Sequence, residues 1–204
     1  MKLIFQIIKR ILIYIPGEFF GLLSVSSALG GILIAFFPFS GYNILFCDVS
    51  YLAASPYGLI FNIGLIFSGL IAIPFHFSMI KQIESQLISI KLKKTILSLS
   101  LTSSLTLSLI GFFPVLTGNV IILLIHGILA LITFLGVTIY CFLYGVLFLK
   151  DQKFSFFHSF LSFSVSGIFI FYFTNRWSLI EWIAVLSIMV WITFNALYSL
   201  TMRL

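Results

Sequence analysis

Long apolar runs separated by short polar connections dominate the chain. Six stretches, 19–38, 57–79, 95–114, 119–149, 156–173 and 182–200, meet the length of ~20 residues that a helix needs to cross hydrocarbon. The long fourth one calls for tilt. Ahead of them, residues 1–15 set Leu3, Ile7, Ile11 and Tyr14 on one side at helical spacing, with Lys2, Gln6, Lys9 and Arg10 on much of the other. That segment is too interrupted to span, and Pro16-Gly17 ends it, so it reads as an interfacial amphipathic helix. Every connection is short and no internal repeat is visible. The predicted fold is all-α: a polytopic membrane helix bundle of six transmembrane helices in one domain over residues 1–204.

Composition strengthens this picture. The chain is 61% hydrophobic and 8% charged, with 25 Phe and a mean hydropathy of +1.24, far outside the range of soluble domains. The net charge of +6 sits in clusters between apolar runs, where it meets anionic lipid and sets orientation; nucleic acid is not an expected partner. Lys2, Lys9, Arg10, Lys81, Lys91, Lys93, Lys94, Lys150, Lys153 and Arg203 fall on one side of the predicted bundle and Arg176 alone on the other. By the positive-inside rule both termini are cytoplasmic. The connection from Lys81 to Lys94 is then an inner amphipathic segment, with Ile83, Leu87, Ile88 and Ile90 resting on the membrane surface. Lys9 and Arg10 interrupt the first apolar stretch, and no small-residue cleavage site follows, so a cleavable signal peptide is not expected. Cys47 lies in the outer connection and Cys141 ~22 residues into the fourth span, ~33 Å along a helix, so the two are not expected to pair.

Small residues mark the faces on which helices meet, because apolar surface alone does not drive association in lipid. Gly64 and Ser68 stand four apart in the second span. Ser100, Ser104 and Ser108 repeat every four in the third, and Ser155, Ser159, Ser162 and Ser166 run along one face of the fifth. These are packing faces whose hydroxyls bond the carbonyl one turn back; the alternative is a polar groove between the third and fifth spans.

The connection from Gly41 carries Asn43, Asp48 and Ser50, without a Lys or Arg, into a span holding Asn62. His126, in the fourth span, and Glu181, at the start of the sixth, belong to the same outer third. Unpaired polar side chains beside hydrocarbon are costly and line wet cavities or pair within protein. Asn43, Asp48, Ser50, Asn62, His126 and Glu181 are therefore the candidate ligand-binding residues, with a carboxylate near His126 able to support acid/base work. The structural reading of the same residues is that His126 and Asn62 tie helices together and Glu181 suits a helix N-terminus. No nucleophile is evident, since Ser50 lacks an elbow motif, and the catalytic assignment stays unknown. His76 and His158 lie toward the opposite face from His126, which argues against a zinc hydrolase; no metal and no cofactor is expected. Glu18 reads as a first-turn acid of the first span. Trp177, Trp182, Tyr42, Tyr51 and Tyr57 read as an outer aromatic belt.

Several short steps resemble the membrane family catalogued as domain of unknown function 998: Pro38 with Gly41-Tyr42-Asn43, Val49-Ser50-Tyr51-Leu52, Phe61-Asn62-Ile63-Gly64 with Ser68-Gly69, and Gly111-Phe112-Phe113-Pro114 followed by His126. Glu181 and Trp191 resemble its positions in the last span. The resemblance implies six helices and no assigned reaction. It also marks departures: Tyr51 stands for the family's acid, Ala53 for its glycine and Trp182 for its arginine, with Asp48 available as a displaced carboxylate.

Three readings follow. In the first, an outer pocket accepts a lipid headgroup or isoprenoid. In the second, the bundle is a non-catalytic scaffold in which the same residues tie helices. The third, a small-solute transporter, is disfavoured by the missing inverted repeat and by helices unbroken except at Pro74.

Overall fold

The computed structural model describes residues 15–83, 88–115 and 118–202. The expected interfacial helix falls outside the described residues but for Ile15. Six long helices make up most of the rest: α1 (Gly17–Phe36), α2 (Gly58–Gln82), α3 (Ile90–Ile110), α4 (Val120–Lys150), α5 (Phe156–Asn175) and α6 (Ser178–Thr201). A 3-10 helix, Val49–Ala54, lies in the connection between α1 and α2, and no strand occurs among the described residues.

Local chemistry sets the boundaries. Pro16 precedes α1, which begins at Gly17, and Pro74 is accommodated inside α2. Ser89 caps α3 by accepting the Leu92 amide at 3.2 Å, and Asn119 caps α4 by accepting the Ile121 amide at 2.9 Å. Five helices, α1, α2, α4, α5 and α6, are long and apolar enough to cross a membrane. α3 is more polar because Ser and Thr recur along it and Lys91, Lys93 and Lys94 crowd its first turn.

The helices form a closed ring. Each of the six packs on its neighbours in the chain, and α6 closes the circuit onto α1. One end of the ring carries the connections α1–α2, α3–α4 and α5–α6, here called the loop end; the other is the terminal end. α4 stands between α3 and α5, which barely touch, so the alternative of a polar groove between the third and fifth spans does not form. The serines pack helices, Ser100, Ser108 and Ser162 among them bonding one turn back as expected. Ser100 and Ser162 bond back to Ile96 O and His158 O at 2.8 and 2.7 Å, whereas Ser166 reaches across to Thr138 O on α4 at 3.0 Å. Ser108 does both, to Ser104 O and to Ile66 O of α2.

Close approach of α1 and α2 depends on small residues. Ser24 Oγ donates to Ser68 O at 2.9 Å and Ser27 Oγ to Gly64 O at 3.1 Å. A Cβ on Gly64 would meet Ser27 O at 2.8 Å, so this crossing admits only glycine. Glu18 does more than suit a helix dipole: it is fully buried and accepts from Ser78 Oγ at 3.0 Å and from Gln82 Nε2, tying α1 to α2.

Packing is densest toward the terminal end, where Phe75, Met79, Tyr144, Leu147, Phe148 and Trp191 are fully buried together. Ile83 and Ile88 join that core. They are therefore not membrane-surface residues as the amphipathic reading of 81–94 expects; burial against Met79 and Ile96 competes better for their side chains than the interface does. Ile90 is exposed as expected, and Leu87 lies outside the described residues. At the loop end a smaller cluster joins Ile32, Val49, Leu52, Ala53, Phe61 and Trp182, so the 3-10 helix sits as a cover over that end of the ring.

Candidate functional site

A cavity of about 380 Å³ runs inside the ring, lined by residues of all six helices and of the 3-10 helix. Its volume falls within the ~300–1,000 Å³ typical of small-molecule pockets. Most of the wall is apolar, with Ile32, Phe61, Leu65, Leu107, Phe134 and Met189 among its residues. Along α2 the lining runs from Phe61 to His76, a rise of ~22 Å. The cavity is thus elongated along the bundle axis. Leu123, Gly127, Leu131 and Arg176 line it and also line a shallow depression on the outer surface of the bundle.

At the loop end the wall turns polar through Asp48, Ser50, His126, Tyr172, Arg176 and Glu181. Asp48 and Arg176 are exposed, so this end meets the surface. Glu181 is only 6% exposed, and its partners explain how a carboxylate is held there. Tyr172 Oη donates to Glu181 Oε2 at 3.0 Å, and the backbone amides of Val49 and Ser50 also donate to its carboxylate. Asp48, the residue ahead of the 3-10 helix, makes no side-chain cap of its own. Glu181 therefore caps a helix other than its own, supplying from α6 the acceptor that the first amides of the 3-10 helix need. His126 is held by Nδ1, which donates to Phe113 O at 2.7 Å and anchors the α3–α4 connection to α4. A neutral imidazole with Nδ1–H committed leaves Nε2 as an acceptor.

Four of the six residues expected to form a site are thus brought to one cavity: Asp48, Ser50, His126 and Glu181. Asn43 and Asn62 are not. Asn43 is exposed, and its Oδ1 accepts the Leu45 amide at 2.9 Å, the turn that Asn commonly makes with its own backbone. Asn62 lies where α2 meets the end of α3, its carbonyl 2.5 Å from a Cβ built on Gly111, and is not part of the cavity wall. The aromatic belt also needs correcting. Trp177, Tyr51 and Tyr57 are exposed, but Trp182 is 7% exposed. Its Nε1–H reaches Tyr42 Oη and Cys47 O, both at 3.2 Å. Tyr42 Oη in turn donates to Asp48 O at 2.7 Å, strapping the connection to α6. Burial pushes the Tyr42 phenol above its ordinary pKa, and Trp182 offsets this in part.

Tyr172, Arg176, His76 and Tyr140 were not among the expected residues. Arg176 carried a signal as the cation expected alone on the side opposite the lysine clusters. Tyr172, His76 and Tyr140 did not stand out, because their inward facing depends on how the ring closes. Among the described residues no group of three His, Cys, Asp or Glu is placed to hold a metal ion, and Cys47 and Cys141 are both free thiols.

A family model described as "Protein of unknown function (DUF998)" matches residues 22–198, from α1 through α6. The chain belongs to that family. No curated protein and no solved structure matches it. In this DUF998 protein Glu181 lines the cavity at the loop end and Trp191 is fully buried in the dense terminal core. The Trp182 indole bonds Tyr42 and Cys47. The Tyr51 ring stacks on that of Phe39 at 5.8 Å.

Proposed function

We propose that this DUF998 protein is a single-domain, six-span integral membrane protein, its termini cytoplasmic, that holds a single-chain amphiphile or isoprenoid in its central cavity. Any charged group that the ligand carries lies at the loop end beside Asp48, Ser50, His126 and Glu181. The observation that carries this reading is the cavity: narrow, long, apolar along its length and charged at one mouth, the profile of an amphiphile. The depression shared by Leu123, Gly127, Leu131 and Arg176 supports entry from the bilayer side. α3 is counted as the sixth span because it completes the ring. The cations support the topology, since Lys81, Lys91, Lys93, Lys94, Lys150 and Lys153 lie toward the terminal end and Arg176 at the loop end.

A second reading has its own support. Glu181 and His126 are both engaged in holding backbone, as a scaffold that ties its own connections would require. Native mass spectrometry of protein purified from its membrane separates the two, comparing wild type with Ala130→Phe, which fills the cavity without touching either tie. A discrete bound mass lost in the variant supports the ligand reading. No bound mass in either protein favours the scaffold.

A further inference from the structure

His76 and Tyr140 form a second polar position far from the charged mouth. His76 is 2% exposed and lines the cavity near its terminal end. Its imidazole makes no hydrogen bond to any described residue, and Nδ1 is fully buried without a partner. Tyr140, from α4, lines the same part of the cavity; its ring stands 5.4 Å from that of His76, edge to face. Its hydroxyl likewise has no hydrogen bond among the described residues. Below them the cavity stops: Phe75 and Trp191 meet at 6.4 Å, Tyr140 and Trp191 at 6.0 Å, over the fully buried Met79 and Tyr144.

Two unpartnered polar groups, side by side at the closed end of an apolar cavity, are costly unless something bonds them, because a buried donor or acceptor left unmet forfeits its solvation. A neutral imidazole offers one donor and one acceptor, and a phenol offers both. No charged side chain lines this end, so an ionic group has no counter-charge here.

Resting on the ligand reading above, we propose that the His76–Tyr140 pair is an oxygen-recognition site. It takes a neutral lipid that enters oxygen-first, a hydroxyl or carbonyl bonding His76 and Tyr140 while the hydrocarbon fills the wall between them and the mouth. The ligand class narrows from amphiphiles in general to long-chain alcohols, ketones or quinone-like lipids. Charged-head phospholipids are excluded from the deep end.

The experiment uses two photoreactive probes of equal length carrying the same mid-chain diazirine, a long-chain alcohol and the hydrocarbon lacking its hydroxyl, added to the purified full chain in detergent. Crosslinked peptides are mapped by mass spectrometry in wild type, His76→Phe, Tyr140→Phe and the hydrogen-bonding variant His76→Gln, each at matched monodispersity. The inference expects the alcohol to label cavity-lining peptides about tenfold more than the hydrocarbon in wild type. That preference should fall toward unity in His76→Phe and Tyr140→Phe and be largely kept in His76→Gln. Equal labelling of the cavity by both probes in wild type overturns the oxygen site while leaving the cavity as a ligand site. Labelling of the cavity by neither probe overturns both. A preference kept in both His76→Phe and Tyr140→Phe would place the hydroxyl at the charged mouth and likewise overturn the deep site, and equal labelling in wild type overturns it even if a variant fails to fold.

Discussion

Tyr172 Oη donates to Glu181 Oε2 at 3.0 Å across the α5–α6 turn, which Arg176 makes with a left-handed backbone at φ 47°. The same carboxylate accepts the first amides of the 3-10 helix, so one side chain joins the α1–α2 connection, α5 and α6. Glu181→Ala leaves those donors unmet and should destabilise by ~1–3 kcal/mol. Tyr172→Phe, which removes one bond and leaves the amides capped, should cost ~0.5–1.5 kcal/mol. Thermal unfolding in detergent measures both. An alanine variant that unfolds with wild type would mean the carboxylate is not the cap.

Helix contact through small residues makes a sharper test at Gly69. A Cβ there would sit 2.3 Å from Ser104 O and 2.8 Å from Ser108 N, both backbone atoms of α3, and rigid backbone cannot give way as a side chain can. Gly69→Ala should push α2 from α3 and cost ~1–3 kcal/mol, as overpacking does. Gly30→Ala, where nothing lies within 4 Å of the added carbon, should be neutral or slightly stabilising, because alanine favours the helix by ~1 kcal/mol. Size-exclusion profiles after graded heating would rank the three proteins. Equal loss in both variants would count against steric contact as the cause.

Such contacts explain what the sequence made legible and what it did not. Element number and position were readable because hydrocarbon thickness dictates length: the stretch 156–173 becomes α5 at Phe156–Asn175. That Asp48, Ser50, His126 and Glu181 come to one cavity was readable because polar groups are rare enough in this chain to point at one another. The closure of the ring was not, since Ser166 looks the same in sequence whether it bonds its own helix or Thr138 of α4. Nor was Trp182: an interfacial tryptophan and one turned inward onto Tyr42 share the same position at a helix start. His76 was sorted by depth alone, and only the path of the cavity gives its depth a meaning.

Alkaline pH should loosen the strapped connection through Tyr42. Its pKa is raised, chiefly by burial, with Cys47, Glu181 and Asp48 adding to the effect. The folded protein therefore holds this proton more tightly than the unfolded chain does. The stability linked to it is complete below the ordinary tyrosine value of about 10 and is lost as pH rises from there toward the folded value. Wild type should lose stability above about pH 10 more steeply than Tyr42→Phe. Parallel pH profiles for the two proteins would place the alkaline loss elsewhere.

The indole of Trp191 donates to Ser162 Oγ at 2.7 Å, and the Ser162 hydroxyl donates in turn to His158 O at 2.7 Å. This chain links α6 to α5 within the dense terminal end. Trp191→Phe keeps an aromatic ring beside Phe75 and Tyr144 but removes the donor; Ser162→Ala removes the acceptor. A double-mutant cycle should give a coupling of ~0.5–1.5 kcal/mol, the net worth of one buried hydrogen bond. Additive losses would show that ring packing alone fixes Trp191.

Orientation can be read from the two thiols. Cys47 is half-buried in the loop-end connection, whereas Cys141 is fully buried within α4. If the lysines at the terminal end hold it in the cytoplasm, a membrane-impermeant maleimide applied to intact cells should label Cys47, and Cys47→Ser should abolish that labelling. Cys141 should react only after denaturation, because it is fully buried and is not among the residues that line the cavity. Labelling of Cys47 confined to inverted vesicles would reverse the orientation. It would then turn the charged mouth formed by Asp48, Arg176 and Glu181 toward the cytoplasm, moving the ligand's source from the outer to the inner leaflet.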